Sequence, residues 1–117
     1  MFEENILPTS RECIANIKAK IPAEDLYEQL AEEAAELAQA ANKMARAMRG
    51  TNPTPKTEMD AYHDVIEEYT DVVNVASVIL GIHPDWAACN YKLHRWNKRL
   101  EDTENDRDND IHRTQDH

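Results

Sequence analysis

Glycine is almost missing from this 117-residue sequence, which contains only Gly50 and Gly81. Alternating runs of β-branched residues, which are typical of half-buried strands, are scarce as well. Both glycines follow long segments with helical periodicity, and glycine commonly ends a helix at such a position. These absences exclude a sheet protein and predict one all-α domain over residues 1–100.

Cysteine and long apolar runs are also in short supply. Cys13 and Cys89 stand alone in helical contexts without a CxxC motif, so they do not indicate a disulfide framework. No run approaches the roughly 20 apolar residues that a membrane span needs. The first ten residues lack the basic and then apolar order of a secretory signal. We therefore expect a cytoplasmic protein without a membrane partner.

Positive charge is in deficit, with a formal net charge of −10. Residues 101–117 carry seven acidic and two basic side chains, almost no apolar ones, and are predicted to form a disordered acidic tail. General nucleic-acid binders need a basic stripe, so this class is excluded. A nucleotide substrate is still compatible with the charge, because a metal ion can supply the positive charge.

Capping signals and helix breakers divide the sequence into four predicted helices. Thr9 and Glu12 form a capping box before the first helix, and Pro22 separates that helix from the second. Either Thr57 or Thr54 caps the third helix after a proline-rich loop. The first two predicted helices cover about residues 10–20 and 23–49, the third runs from its threonine cap to about residue 80, and the fourth covers about residues 84–100.

The second predicted helix is rich in alanine, particularly from Ala31 to Ala47. Alanine-rich helices pack closely but contribute little apolar area per residue. A core made by one chain would be thin, since the sequence has one phenylalanine and two tryptophans. We therefore expect a helical bundle that is completed by oligomerisation, as a homodimer or a homotetramer.

Two pairs of acidic residues occupy matching positions on the second and third predicted helices. Glu33 and Glu36 form the first pair, and Glu68 and Asp71 form the second. The i,i+3 spacing places both members of a pair on one helical face. At about 100° per residue, one acid of each pair lies within the apolar stripe of its helix and the other at the margin.

Such positions are costly for carboxylates, because burying an unpaired charge costs several kcal/mol. Four carboxylates from two facing helices can hold a hard divalent cation such as Mg²⁺, with Mn²⁺ as a second option. The competing interpretation is that all four acids are solvated on glutamate-rich helices. The matched placement of the two pairs favours the metal site.

These residues also resemble a known family. The segments EEAAELAQAANK (residues 32–43) and EEYTDVVNV (residues 67–75) resemble the MazG-like, all-α nucleoside triphosphate pyrophosphohydrolases, whose signature is ExxE on one helix and ExxD on a later one. The resemblance covers about residues 24–100 and implies a MazG-like four-helix bundle with Mg²⁺ as cofactor. It implies hydrolysis of a nucleoside triphosphate to a monophosphate and pyrophosphate. The long connection around residues 50–57 departs from compact members of the family, so the resemblance does not define the details of the substrate pocket.

The resemblance assigns roles to individual residues of this sequence. Glu33, Glu36, Glu68 and Asp71 would ligate the metal, with Glu36 and Glu68 as the catalytic candidates. The substrate candidates that the resemblance implies are Asn74, Lys92, Arg95 and Arg99.

Two further substrate candidates follow from position and chemistry. Lys43 lies beside the edge that carries Glu36, so it could reach a phosphate or instead complement the dipole at the helix C-terminus. Trp96 could stack on a base or serve as a core or interface aromatic. Two other functions stay open, a non-catalytic helical module that binds a partner protein and a phosphoribosyl-ATP pyrophosphatase.

Overall fold

A computed structural model of the chain describes residues 9–51, 56–81 and 86–115. Four α-helices make up nearly all of these residues, and the described part of the chain contains no strand. The all-α class is therefore confirmed. The helices are α1 (Ser10–Lys20), α2 (Ala23–Arg49), α3 (Glu58–Leu80) and α4 (Trp86–Gln115).

Side-chain caps begin two of the helices. The Thr9 hydroxyl accepts a hydrogen bond from the backbone N–H of Glu12 at 3.2 Å and begins α1, as the capping box predicts. At α3, the Thr57 hydroxyl accepts from the N–H of Asp60 at 3.1 Å, so Thr57 is the cap of this helix. The alternative cap, Thr54, lies outside the described residues, as does most of the predicted loop.

Glycine ends α2 because the chain needs a left-handed turn there. Gly50 has φ 71° and donates its N–H to the carbonyls of the last helical turn. A residue with a Cβ is strained in this conformation, whereas glycine adopts it freely. The turn lets the chain reverse between α2 and α3.

The two longest helices of the first part of the chain, α2 and α3, form an antiparallel hairpin. Leu26 near the start of α2 lines a small pocket with Ile79 near the end of α3. Further along, Glu33 of α2 lies beside Glu68 of α3, so residue numbers rise on one helix as they fall on the other. The shorter α1 packs against α3. Four apolar residues of the described chain are buried: Leu26, Ala40, Ala61 and Val78.

The chain divides into two compact units, Met1–Ile82 and His83–His117. The second unit contains α4, which the sequence predicts to end near Leu100. That prediction is wrong, because α4 continues to Gln115 through residues predicted to be a disordered tail. No proline or glycine follows Pro84 to break the helix, and Asn97 donates a side-chain hydrogen bond to Glu101 across the predicted end. The predicted helix start at Pro84 lies outside the described residues.

None of the described helices has a stretch long and apolar enough to cross a membrane. The assignment of residues 1–100 to a single domain stays a prediction.

Candidate metal centre

The hairpin positions two glutamates on the seam where α2 and α3 meet. Glu33 lies seven residues before the buried Ala40, and Glu68 lies seven residues after the buried Ala61. Seven residues are nearly two helical turns, so each glutamate is only about 20° from its buried alanine around the helix. The small alanine side chains let the two helices approach closely. The same seam therefore brings the two carboxylates together.

Three carboxylates converge at this point. One oxygen from each of Glu33, Glu36 and Glu68 lies within 4.8 Å of the other two. Glu33 and Glu68 are half-buried, and Glu36 is exposed at the rim. The structure thus brings together three of the four acids that the sequence singles out as metal ligands.

Two oxygens of this cluster are buried without a hydrogen-bond donor, Oε2 of Glu33 and Oε2 of Glu68. Buried carboxylate oxygens normally accept hydrogen bonds, and leaving one unpaired costs free energy. Among the described residues the single ion pair joins Lys56 to Asp64, so no lysine or arginine forms an ion pair with the cluster. The cluster therefore carries concentrated negative charge without a protein counter-charge in contact.

The electrostatics of Glu33 reflect this surplus of negative charge. Desolvation raises the pKa of its carboxyl, and the neighbouring charges of Glu36 and Asp71 raise it further. A hydrogen bond with the Gln29 side chain acts in the opposite direction and lowers the pKa. The folded protein therefore holds a proton on Glu33 more tightly than an isolated glutamate would.

Asp71 lies outside the group of three. It is half-buried on α3, three residues beyond Glu68, and its charge acts on Glu33. Its role as a metal ligand stays a prediction.

The donor set suits a hard divalent cation, which takes carboxylate oxygens as ligands. Two oxygens on opposite sides of one Mg²⁺ ion are about 4.2 Å apart, twice the ligand distance of roughly 2.1 Å. Three ligands cannot all lie opposite one another, and adjacent ligand oxygens of an octahedral Mg²⁺ ion are about 3.0 Å apart. The three oxygens of the cluster lie within 4.8 Å of one another, so a movement of about 1 Å by each side chain would bring all three onto one ion.

Gln29 is the residue of this site that the sequence interpretation missed. It lies one turn before Glu33 on α2, where an i,i+4 pair of side chains can interact. That spacing was a usable signal, since glutamine is a common partner of an acid on a helix. Gln29 holds the Glu33 carboxyl and limits the rise of its pKa.

The remaining substrate candidates of the first unit are Asn74 and Lys43. Asn74 lines a groove of about 420 Å³ between α1 and α3, together with Cys13, Ile14 and Val78 among others. Lys43 is exposed near the end of α2. The substrate roles of both residues stay predictions.

The candidates on α4 form a group of their own. Lys92, Arg95, Trp96 and Arg99 line one shallow depression of about 300 Å³ on the surface of α4. The indole of Trp96 is 60% exposed, so it is not a core aromatic of the described chain. Three cationic groups beside an exposed indole are a chemically reasonable surface for a phosphate and a base.

Comparisons of the chain with protein-family models, with curated proteins and with solved structures found no match. Membership of the MazG-like family therefore stays a prediction from the sequence. The case for function is carried by the geometry of the site.

Proposed function

We propose that this protein is a Mg²⁺-dependent nucleoside triphosphate pyrophosphohydrolase with a MazG-like fold. It would convert a nucleoside or deoxynucleoside triphosphate and water to the monophosphate and pyrophosphate. One observation carries the proposal: three carboxylates converge, and two of them have a buried oxygen without a donor. The same residues belong to the ExxE and ExxD patterns that resemble this enzyme family.

The roles of the acids follow from their burial. Glu33 and Glu68 would hold the ion, because their orphaned oxygens lie on the seam of the hairpin. The bound ion supplies positive charge to phosphate oxygens and lowers the pKa of water. Glu36 is exposed at the rim, where its carboxylate can accept a proton from an attacking water. Asp71 is proposed as a further ligand on the same side of α3.

The cationic side chains of α4 are proposed as contacts for the phosphates of the substrate. Lys92, Arg95 and Arg99 share one surface of α4 and can donate to phosphate oxygens, as charge-assisted hydrogen bonds require. Trp96 lines the same depression and offers an exposed ring on which a base can stack. Lys43 and Asn74 are proposed as additional contacts from the first unit.

Assembly from two or four copies is part of the proposal. The described chain buries only four apolar residues, two of which are alanines, so one copy has little core of its own. Sharing a core between copies is the usual solution for a helical bundle of this kind.

A product assay tests the reaction. We would incubate the protein with Mg²⁺ and a panel of canonical and modified nucleoside triphosphates, and resolve pyrophosphate from orthophosphate. The expected products are pyrophosphate and a monophosphate. Glu68→Gln should abolish turnover because it removes one ligand charge from the seam, while helicity by circular dichroism stays near that of the wild type.

The matched control is Glu67→Gln, which makes the same change at the adjacent, exposed position. This control should retain activity. Equal turnover by Glu68→Gln and the wild type would contradict the assignment. Turnover of phosphoribosyl-ATP alone would replace the nucleotide substrate by that compound, and no turnover of any substrate would favour the non-catalytic partner-binding module.

A further inference from the structure

Helix α3 has an apolar stripe that is exposed to solvent. Its six large side chains are each at least 40% exposed, and an alanine completes the series. The residues follow one another at alternating spacings of three and four, the pattern of a helix that packs along a seam. At about 100° per residue, the stripe lies roughly 130° from Glu68, well away from the contact with α2. The stripe consists of Met59, Tyr62, Ile66, Tyr69, Val73, Ala76 and Leu80.

Helix α2 carries a second stripe with the same spacing but small side chains. Its alanines are exposed or half-buried, and large residues occur only at its two ends. This stripe lies roughly 110° from the seam at about 100° per residue. The stripe consists of Tyr27, Ala31, Ala34, Ala38, Ala41, Ala45 and Met48.

Both stripes lie on the same side of the hairpin. On each helix the stripe is displaced from the seam in the direction of increasing residue angle. Because α2 and α3 run antiparallel, a displacement from the seam in the same angular direction leads to the same side of the hairpin on both helices. Glu36 and Asp71 are displaced in the opposite sense, toward the side of α1. The hairpin therefore has an acidic face and, behind it, a continuous apolar face.

We propose that this apolar face is the contact between two copies of the chain, related by a two-fold axis parallel to the helices. Such an axis lays α2 of one copy over α3 of the other without shifting either along its length. Residues that are level in one hairpin therefore also meet between the copies, and Leu26 and Ile79, which line one pocket, mark that level.

At this register every pair combines a large side chain with an alanine. Five alanines of α2 meet five large residues of α3, and the one alanine of the α3 stripe meets the aromatic residue of α2. Large residues opposite small ones give the dense interlocking of a packed core. The pairs are Tyr27 with Ala76, Ala31 with Val73, Ala34 with Tyr69, Ala38 with Ile66, Ala41 with Tyr62, and Ala45 with Met59.

The size pattern also selects against the other two-fold arrangement. A two-fold axis across the helices would lay α2 on α2 and α3 on α3. Alanines would then face alanines, while tyrosines and isoleucine would crowd one another on the neighbouring pair. A rigid hairpin cannot bring its two α2 helices closer together while it moves its two α3 helices further apart. This arrangement would therefore leave voids between the alanines and overpack the large residues, and both cost free energy.

The face is large enough for a stable dimer. The α3 stripe is about 32 Å long at 1.5 Å per residue. Two helices with axes 8–10 Å apart make a face about 18 Å wide, so each copy contributes roughly 600 Å². The total of about 1,200 Å² reaches the lower bound of stable protein interfaces. This inference deepens the assembly part of the proposed function, since it names the face through which two copies meet, and it concerns a catalytic and a non-catalytic protein equally.

Light scattering on the full chain tests the proposal without any activity measurement. The wild type should have at least twice the monomer mass of 13.5 kDa at micromolar concentration. Ile66→Glu should weaken dimerisation by about 100-fold or more, because it buries an unpaired charge in the interface. Gln39→Glu adds a charge at an exposed position of α2 outside the stripe and should leave the mass unchanged.

A size exchange tests the pairing of α2 with α3. Ile66→Ala should weaken the dimer by leaving a cavity, and Ala38→Ile should weaken it by overpacking. The double variant exchanges the two side chains across the interface and should recover most of the wild-type affinity. A monomeric wild type, or a mass that Ile66→Glu leaves unchanged, would assign the face to another occupant and overturn the proposal. Failure of the double variant to recover would overturn the pairing.

Discussion

Single side chains decide the electrostatics of the acidic cluster. Glu33 sits where the seam of the hairpin removes water from one of its oxygens, next to two further acids. The result is a carboxyl whose pKa is raised in the folded protein. A cation must displace this proton to bind, so the affinity of the site for metal should rise with pH.

The raised pKa of Glu33 predicts a pH dependence of stability in the absence of metal. A carboxyl that binds its proton more tightly when folded stabilises the fold fully below its unfolded pKa, near 4.5. This stabilisation is lost as the pH rises through the higher folded pKa, because the folded state then contains the disfavoured charge. Glu33→Gln removes the ionisable group. Relative to the wild type, the metal-free variant should therefore be more stable at neutral pH than it is at acidic pH.

Urea unfolding in EDTA, at pH values from 4 to 7, measures this effect. The free energy of unfolding of Glu33→Gln, minus that of the wild type, should increase as the pH rises. Glu67→Gln serves as the control, since Glu67 is exposed and outside the cluster. A difference between Glu33→Gln and the wild type that stays constant over the whole range would contradict the interpretation.

Local hydrogen bonds help to determine where the helices begin and end. Thr57 begins α3 by accepting the N–H of Asp60, and α3 carries Glu68 and Asp71 on one face and the large apolar stripe on another. Thr57→Ala should therefore lower stability by about 1 kcal/mol, the usual cost of losing a threonine cap. Thr57→Ser keeps the hydroxyl and should lose far less. Thermal or urea denaturation of the two variants makes the comparison, and equal losses would show that the hydroxyl does not cap the helix.

Helix α4 shows that composition alone can give a wrong prediction of secondary structure. Residues 101–115 are acidic and almost devoid of apolar side chains, so composition favours disorder. The structure continues the helix because nothing breaks it, and polar side chains support it locally: Asn97 donates to Glu101, and the Thr103 hydroxyl donates to the carbonyl of Arg99. The absence of proline and glycine was the more informative signal.

At the scale of the whole molecule, metal binding should be coupled to folding. An ion that binds only the folded state adds a stability of RT ln(1 + [L]/Kd). With free Mg²⁺ at ten times Kd this is about 1.4 kcal/mol, which corresponds to a rise in Tm of about 5 °C for a domain of this size. Differential scanning fluorimetry with MgCl₂ or MnCl₂ measures the rise, with KCl at equal ionic strength as the control.

The acids of the seam should govern this response. Glu68→Gln should lose the rise in Tm, and Glu67→Gln should keep it. An unchanged Tm of the wild type at millimolar Mg²⁺ and Mn²⁺ is the outcome that the partner-binding module predicts. The mass measurement on the apolar face is independent of this result, so failure of the metal site and failure of the dimer can be told apart.

The sequence by itself determined the helices of the first unit and the positions of the two acid pairs on them. The cap at Thr9 and the end at Gly50 follow from local backbone preferences, which neighbouring residues largely settle. For α3 the sequence offered two threonine caps, and the structure selects Thr57. The i,i+3 pairs were visible for the same reason, since helical spacing places them on one face. Their metal-binding role and the enzyme activity remain predictions.

Only the tertiary structure decided which acids meet and which faces stay open. Glu36 and Glu68 lie 32 positions apart in the sequence, and their approach depends on how α2 and α3 align after the turn at Gly50. Burial of one oxygen on Glu33 and Glu68 depends on the same alignment. The exposed stripe of α3 could be recognised only once α2 and α1 had taken the other sides of that helix. Packing between distant residues sets these features, and no local preference encodes them.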